Sequence, residues 1–206
     1  MRIRSLVVGR LQSNCYLIFD DTTEATIIDP GDDADYIIRI IADEGATPTK
    51  IIATHGHFDH IMAATELQLA YSIPFLIHKK DKFLVKRMND TALYFTGIDG
   101  GPPPKIDGYL KDGQRIKIGD SSFAIIETPG HTPGSISLYN KKESVLITGD
   151  LIFAGGGVGR TDFSYSSPEN LQASLAKILK LSKATTMYSG HGPETTIENE
   201  RSFHKR

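Results

Sequence analysis

The chain has 206 residues, 39% of them hydrophobic and 23% charged, with a formal net charge of −2. That length can bury a core within one domain, 1–206, without disulfides or a partner, and the near-neutral charge removes the electrostatic ground for nucleic acid or an anionic membrane as the main partner. Cys15 is the only cysteine, residues 6–8 are far too short an apolar run for a signal-peptide core, and no stretch of about 18 apolar residues occurs. The expectation is a cytoplasmic protein with no membrane span.

Three β-rich runs open the chain, IRSLVV (3–8), NCYLIFD (14–20) and ATIID (25–29), and read as a small antiparallel sheet. The spacing of Ile37, Ile40 and Ile41 predicts a helix over 33–45 that Gly45 stops. A strand, KIIAT (50–54), runs straight into THGHFDH, and a helix is expected from His60, with Ile61, Ala64, Leu67 and Tyr71 on one face. IPFLIH (73–78) reads as a strand, 81–88 as a shorter helix, and TGIDGGPPPKIDG (96–108) as a flexible loop. Residues 108–130 and 135–150 read as hairpin-like runs, with turns at Asp112-Gly113 and Gly119-Asp120 in the first. After a glycine-rich loop, FAGGGVGRTDFSYS, a helix is signalled by Ser167 as N-cap, Pro168 at its first position and the stripe Leu171, Leu175, Ile178 and Leu179. A last strand, TTMYS (185–189), leads into GHGPE and a charged terminal helix.

Four of these strands run into loops carrying reactive side chains: His55, His57, Asp59 and His60 after KIIAT, His131 after FAIIETPG, Asp150 after SVLITG, and His191 after TTMYS. Rigid strands can aim such loops at one point, so the four loops are expected to converge. Imidazole nitrogen and carboxylate oxygen suit zinc, iron and manganese. In an extended segment His55 and His57 point to the same side, while Asp59 and His60 turn towards a second point nearby. One short segment can thus serve two ions, and Asp150, with two oxygens, can bridge them. His131 and His191 lie in tight Gly/Pro frames that fix their direction; His78 and His204 have no such frame and are read as structural. Asp29, in IIDPG, is open to two readings, support of the site from behind or a turn-forming role. Cys15 is read as a small apolar packing residue.

The motifs THGHFDH, TPGHTPGS, LITGD and SGHGPET, in this order, resemble those of the metallo-β-lactamase-fold hydrolases over essentially the whole chain, and within them the small glyoxalase II-like proteins, the hydroxyacylglutathione hydrolases. The resemblance implies an αββα sandwich with a dinuclear site at one edge of the sheets. By motif, His55, His57 and His131 would hold one divalent ion, Asp59, His60 and His191 the second, and Asp150 would bridge them. Aspartate at 150 speaks against the antibiotic-degrading branch, where cysteine is typical.

The implied activity is cleavage of a small-molecule thioester, such as a 2-hydroxyacyl glutathione, by a hydroxide shared between the metals, since metal binding brings the pKa of water to around 7. Asp59 would orient that hydroxide as well as bind metal, and Asp150 would complete the catalytic pair. Larger glyoxalase II proteins carry an extra C-terminal helical region that helps bind glutathione, and this chain stops soon after His191, so its thiol pocket must differ. Arg160, in GVGRTDF, is the candidate contact for a substrate carboxylate, with a local ion pair to Asp162 as the competing reading. GRTDF also resembles the persulfide dioxygenases of the same fold, whose single iron would here sit on His55, His131 and Asp150. A lactonase is a third reading. The oligomeric state is left open.

Overall fold

The computed structural model describes residues 1–20 and 23–204. Among the described residues twelve strands form two six-stranded sheets. In the first, β1 (Arg2–Val8), β2 (Ser13–Phe19) and β3 (Glu24–Ile28) make the expected antiparallel meander, and β4 (Thr47–Ile52), β5 (Phe75–His78) and β6 (Ile106–Leu110) extend it in parallel. The second repeats the plan: β7 (Arg115–Ile118), β8 (Ser121–Glu127), β9 (Ile136–Asn140) and β10 (Val145–Gly149) are antiparallel, β11 (Thr186–Ser189) joins β10 in parallel, and β12 (Thr195–Thr196) closes the edge.

Parallel neighbours require a crossover, and helices supply it. The helix α1 (Ala34–Asp43) connects β3 to β4, α2 (Ala64–Tyr71) connects β4 to β5, α3 (Lys82–Lys86) and α4 (Met88–Thr96) lie between β5 and β6, and α5 (Pro168–Ile178) connects β10 to β11; α6 (Ile197–Arg201) follows β12. Because side chains alternate along a strand, neighbouring residues feed different layers. Leu17, Ile27 and Ile51 pack towards Ile37, Ile41 and Leu67 of the helices, whereas Ile18, Ile28 and Ile52 meet Phe123, Ile125, Leu138 and Ile147 of the facing sheet. A third cluster joins Leu146 and Met187 to Leu175 and Ile178 of α5. The result is the helix–sheet–sheet–helix layering expected from the motifs. No helix among the described residues is long and apolar enough to cross a membrane.

Three local expectations differ from the structure. The helix after the histidine motif begins at Ala64, because residues Phe58–His60 form a 3-10 turn that points Asp59 and His60 inward. The Asp112-Gly113 turn closes no hairpin: β6 pairs with β5 in one sheet and β7 with β8 in the other, so this turn carries the chain between sheets. Strand β6 also begins inside the expected loop 96–108, at Ile106. Finally, α4 went unsignalled because only Met88 and Ala92 are buried, while Leu93, Tyr94 and Phe95 are exposed, so no core-facing stripe exists to read.

Candidate metal centre

The tips of β4, β8, β10 and β11 deliver His55–His60, His131, Asp150 and His191 to one place. Ligand-capable atoms of His55, His57 and His131 lie within 4.8 Å of one another, and those of Asp59, His60 and His191 do likewise. Asp150 spans the two groups: its Oδ1 is 3.4 Å from His60 Nε2, and its Oδ2 is 3.5 Å from His131 Nε2 and 3.6 Å from His191 Nε2. All seven residues that the motifs single out are therefore brought together.

The outward-facing nitrogens assign the tautomers. His131 Nδ1–H donates to the carbonyl of Arg160 at 2.8 Å and His191 Nδ1–H to that of Gln12 at 3.2 Å. His60 Nδ1–H donates to Asp29 Oδ2 at 3.1 Å. Thr54 Oγ1 gives its proton to Asp29 at 2.6 Å, so at 3.0 Å it accepts from His55 Nδ1–H. Each of these four rings then turns a lone pair at Nε2 towards the centre. His57 is reversed, with Nε2 at 2.9 Å from the Tyr165 hydroxyl and Nδ1 facing inward, 3.2 Å from His55 Nε2 and 2.9 Å from His131 Nε2. Where His57 gives its Nε2–H to the Tyr165 hydroxyl, three lone pairs meet at one point and repel unless a cation lies between them; outer partners that fix ring and tautomer are the usual companions of histidine ligands.

Two further atoms test the fit. His60 Nε2 and Asp150 Oδ1 are buried with no hydrogen-bond partner among the described residues, an arrangement that costs free energy unless something polar satisfies them. A divalent ion does so, and the nitrogen–oxygen donor set suits one. The electrostatics agree. Burial, then the imidazoles of His60, His57 and His131, drives His55 well below the ordinary histidine pKa; burial and His131 take His57 down to about 3. Both therefore offer neutral nitrogen. At His60, burial pulls the pKa down, but Asp150, Asp59 and Asp29 outweigh it and raise it to about 10. Burial opposes ionisation of Asp59, yet His60, His191 and His57 hold it below the usual carboxylate range. The second group thus calls for positive charge, which a proton on His60 Nε2 supplies at neutral pH and a divalent ion would supply in its place, freeing the lone pair.

The supporting shell contains residues the motifs did not reveal. Asp81, fully buried at the start of the expected 81–88 helix, accepts from Gly56 N–H at 2.9 Å, Thr132 Oγ1–H at 2.7 Å and Gly134 N–H at 2.7 Å, tying the His57 loop to the His131 loop. Burial raises its pKa, and these donors pull it back part of the way. Asn14 donates from Nδ2 to the carbonyls of Ser189 and Gly192, fixing the His191 loop. Nothing in sequence spacing marks either residue.

Asp29 is settled as a support from behind: its oxygens are taken by Thr54 and His60, so its closeness to His55 and His60 does not make it an inward-facing donor. Gly190 is required by close approach, since a Cβ there would lie 2.0 Å from Asp150 Oδ1 and 2.8 Å from His60 Cε1. His78 pairs with Glu127 at 3.1 Å and is structural; His204 belongs to neither metal-capable group. Cys15 is fully buried in the core.

The cluster floors a cleft of about 340 Å³ whose walls include Phe58, Phe95, Phe153, Phe163 and Tyr165. Arg160 lines it too, but its guanidinium already holds Asp162 in a two-point pair at 2.9 and 2.7 Å and lies 4.8 Å over the Phe163 ring. The ion pair that competed with a substrate role is present, and the residue's direct service to the centre is its carbonyl.

A fold of two sheets between helices, with a histidine–aspartate cluster of this kind at the strand tips, defines a class. The profile of the metallo-beta-lactamase superfamily matches residues 8–191. The chain belongs to that superfamily and is a metallo-hydrolase within it. It is 37% identical to the hydroxyacylglutathione hydrolase GloC of Haemophilus influenzae, covering 98% of this chain and 95% of that protein. Among solved structures it is similar to the B3 metallo-beta-lactamase BLEG-1, with TM-score 0.91, 37% identity and coverage of 98% and 97%. TTHA1623, solved in a di-iron-bound form, has TM-score 0.88 and 33% identity over 96% of each chain.

Proposed function

We propose that the chain hydrolyses small-molecule acyl-thiol esters with two divalent ions, one on His55, His57 and His131 and one on Asp59, His60 and His191, with Asp150 shared. The observation that carries this reading is the stranded pair His60 Nε2 and Asp150 Oδ1 between two three-residue groups. A single iron on His55, His131 and Asp150 would leave the second metal-capable group, Asp59, His60 and His191, without an ion, which is why the dioxygenase arrangement is the weaker fit. Zinc is the first candidate metal, and iron and manganese accept the same donors.

Divalent ions there would supply water ionised near neutral pH and would polarise a carbonyl. The side chains do the remainder. Asp59, kept ionised by its histidine neighbours, is placed to accept a hydrogen bond from the attacking water and aim it. Asp29, Thr54, Tyr165 and the carbonyls of Gln12 and Arg160 hold the imidazoles in one orientation, so little reorganisation is needed as charge develops. A thioester fits this equipment because a thiol with pKa of about 8.5 departs as thiolate without a strong proton donor. Hydroxyacylglutathione esters, named by the Haemophilus relative, are the first substrates to assay.

The test is metal quantification of the purified protein together with thioester, lactone, β-lactam and glutathione persulfide assays, in air and under argon. Near two ions per chain with oxygen-independent thioester cleavage is the expected result. One iron per chain with oxygen consumption on the persulfide would replace this reading with the dioxygenase, and turnover of lactone or β-lactam alone would remove the thioester.

A further inference from the structure

Resting on the thioesterase reading, we infer that the thioester this cleft selects is neutral and carries an apolar acyl chain or ring, in preference to a glutathione ester.

The charges of the cleft argue first. Apart from the histidines and the two carboxylates of the metal cluster, Arg160 is the one ionisable cation among the described lining residues. Its charge is met by Asp162 through both guanidinium contacts. Glutathione brings two carboxylates and one ammonium. Among the lining residues a single, already paired guanidinium faces two carboxylates; Arg87, whose charge reaches Tyr165, is exposed and does not line the cleft, and unpaired charges lose their hydration on entering a concave site.

The walls argue second. Phe95 stacks on Phe58 with ring centroids 6.1 Å apart and an interplanar angle of 12°, and Phe163 stacks on Tyr165 at 5.3 Å and 8°. Leu84 and Val158 add aliphatic surface. Leu11 is 45% exposed and Phe95 49% exposed, and both line this same cleft. Isolated apolar residues at a surface need no explanation, but a contiguous set converging on a reactive centre marks a binding groove. This also gives α4 a purpose: it leaves Phe95 uncommitted to the core, at the cleft.

The experiment uses the metal-loaded protein and acyl esters of N-acetylcysteamine, a small neutral thiol, from acetyl through butyryl to hexanoyl and phenylacetyl, against S-lactoylglutathione. The expected result is a rise in kcat/KM of roughly fourfold per added methylene until the cleft is filled, with S-lactoylglutathione below hexanoyl-N-acetylcysteamine. A second readout does not need turnover: S-hexyl-N-acetylcysteamine, an uncleavable thioether, should bind metal-free protein with a negative heat-capacity change. Phe95→Ser should weaken that binding at least tenfold and Phe95→Leu should restore most of it. A flat acyl series, a preference for S-lactoylglutathione, or equal hexyl binding by wild type and Phe95→Ser would overturn the inference while leaving thioester hydrolysis standing. Absence of cleavage for every thioester would overturn both.

Discussion

Asp81→Asn tests whether the outer shell holds the metal loops in place. The parent carboxylate is buried and receives three hydrogen bonds, two on Oδ2, from Gly56 N–H and Thr132 Oγ1–H, and one on Oδ1, from Gly134 N–H. Asparagine keeps the shape but has one acceptor oxygen. With that oxygen in the Oδ2 position, the amide nitrogen faces Gly134 N–H and leaves a buried donor unsatisfied, at a cost of about 1–3 kcal/mol. The two remaining bonds lose their charge assistance, roughly half their strength. A total of about 2–4 kcal/mol follows, which for a chain of this size lowers Tm by roughly 5–15 °C. Since Gly56 adjoins His55 and His57, and Thr132 adjoins His131, metal affinity should fall about 10–100-fold. Urea unfolding of the metal-free variant followed by circular dichroism measures the first effect, and zinc competition against a chromogenic chelator measures the second. A variant within about 0.5 kcal/mol of the parent and with unchanged zinc affinity would refute the role given to Asp81.

Asp150→Ala should cost at least one of the two ions and lower turnover by more than the roughly 100-fold upper range for losing an outer partner; intact metal content by elemental analysis would dismiss the shared-ligand role. Gly190→Ala should destabilise the protein by about 1–3 kcal/mol through overpacking and displace the Asp150 carboxylate, read as reduced metal stoichiometry. Chelation should lower Tm, because ions at about 100 times their Kd stabilise the folded chain by about 2.7 kcal/mol, or roughly 5–11 °C here; identical melting curves with and without chelator would argue against a metal centre. Arg160→Ala should reduce turnover of charged and uncharged thioesters by similar factors, as expected of a residue paired to Asp162, whereas a loss confined to glutathione esters would restore the carboxylate-contact reading.

Sequence alone determined the elements whose signals are local. The Ile37, Ile40 and Ile41 stripe with Gly45 behind it, and Ser167 with Pro168 at the head of α5, are written in adjacent side chains, and the structure contains both helices. The convergence of the seven candidate residues was likewise legible, because chemically distinctive residues followed strand-like runs within a few positions. What only tertiary structure decided has a different physical origin. The passage from β6 to β7 depends on strand pairings made elsewhere in the chain, to which an Asp-Gly turn is blind. Asp81, Asn14 and Asp29 act through partners many residues away, and a carboxylate or amide bears no mark of burial until distant backbone donors close around it. The cleft's apolar walls are of the same kind: α3, α4 and the 153–165 loop contribute Leu84, Phe95, Phe163 and Tyr165, and their shared environment exists only once both sheets have packed.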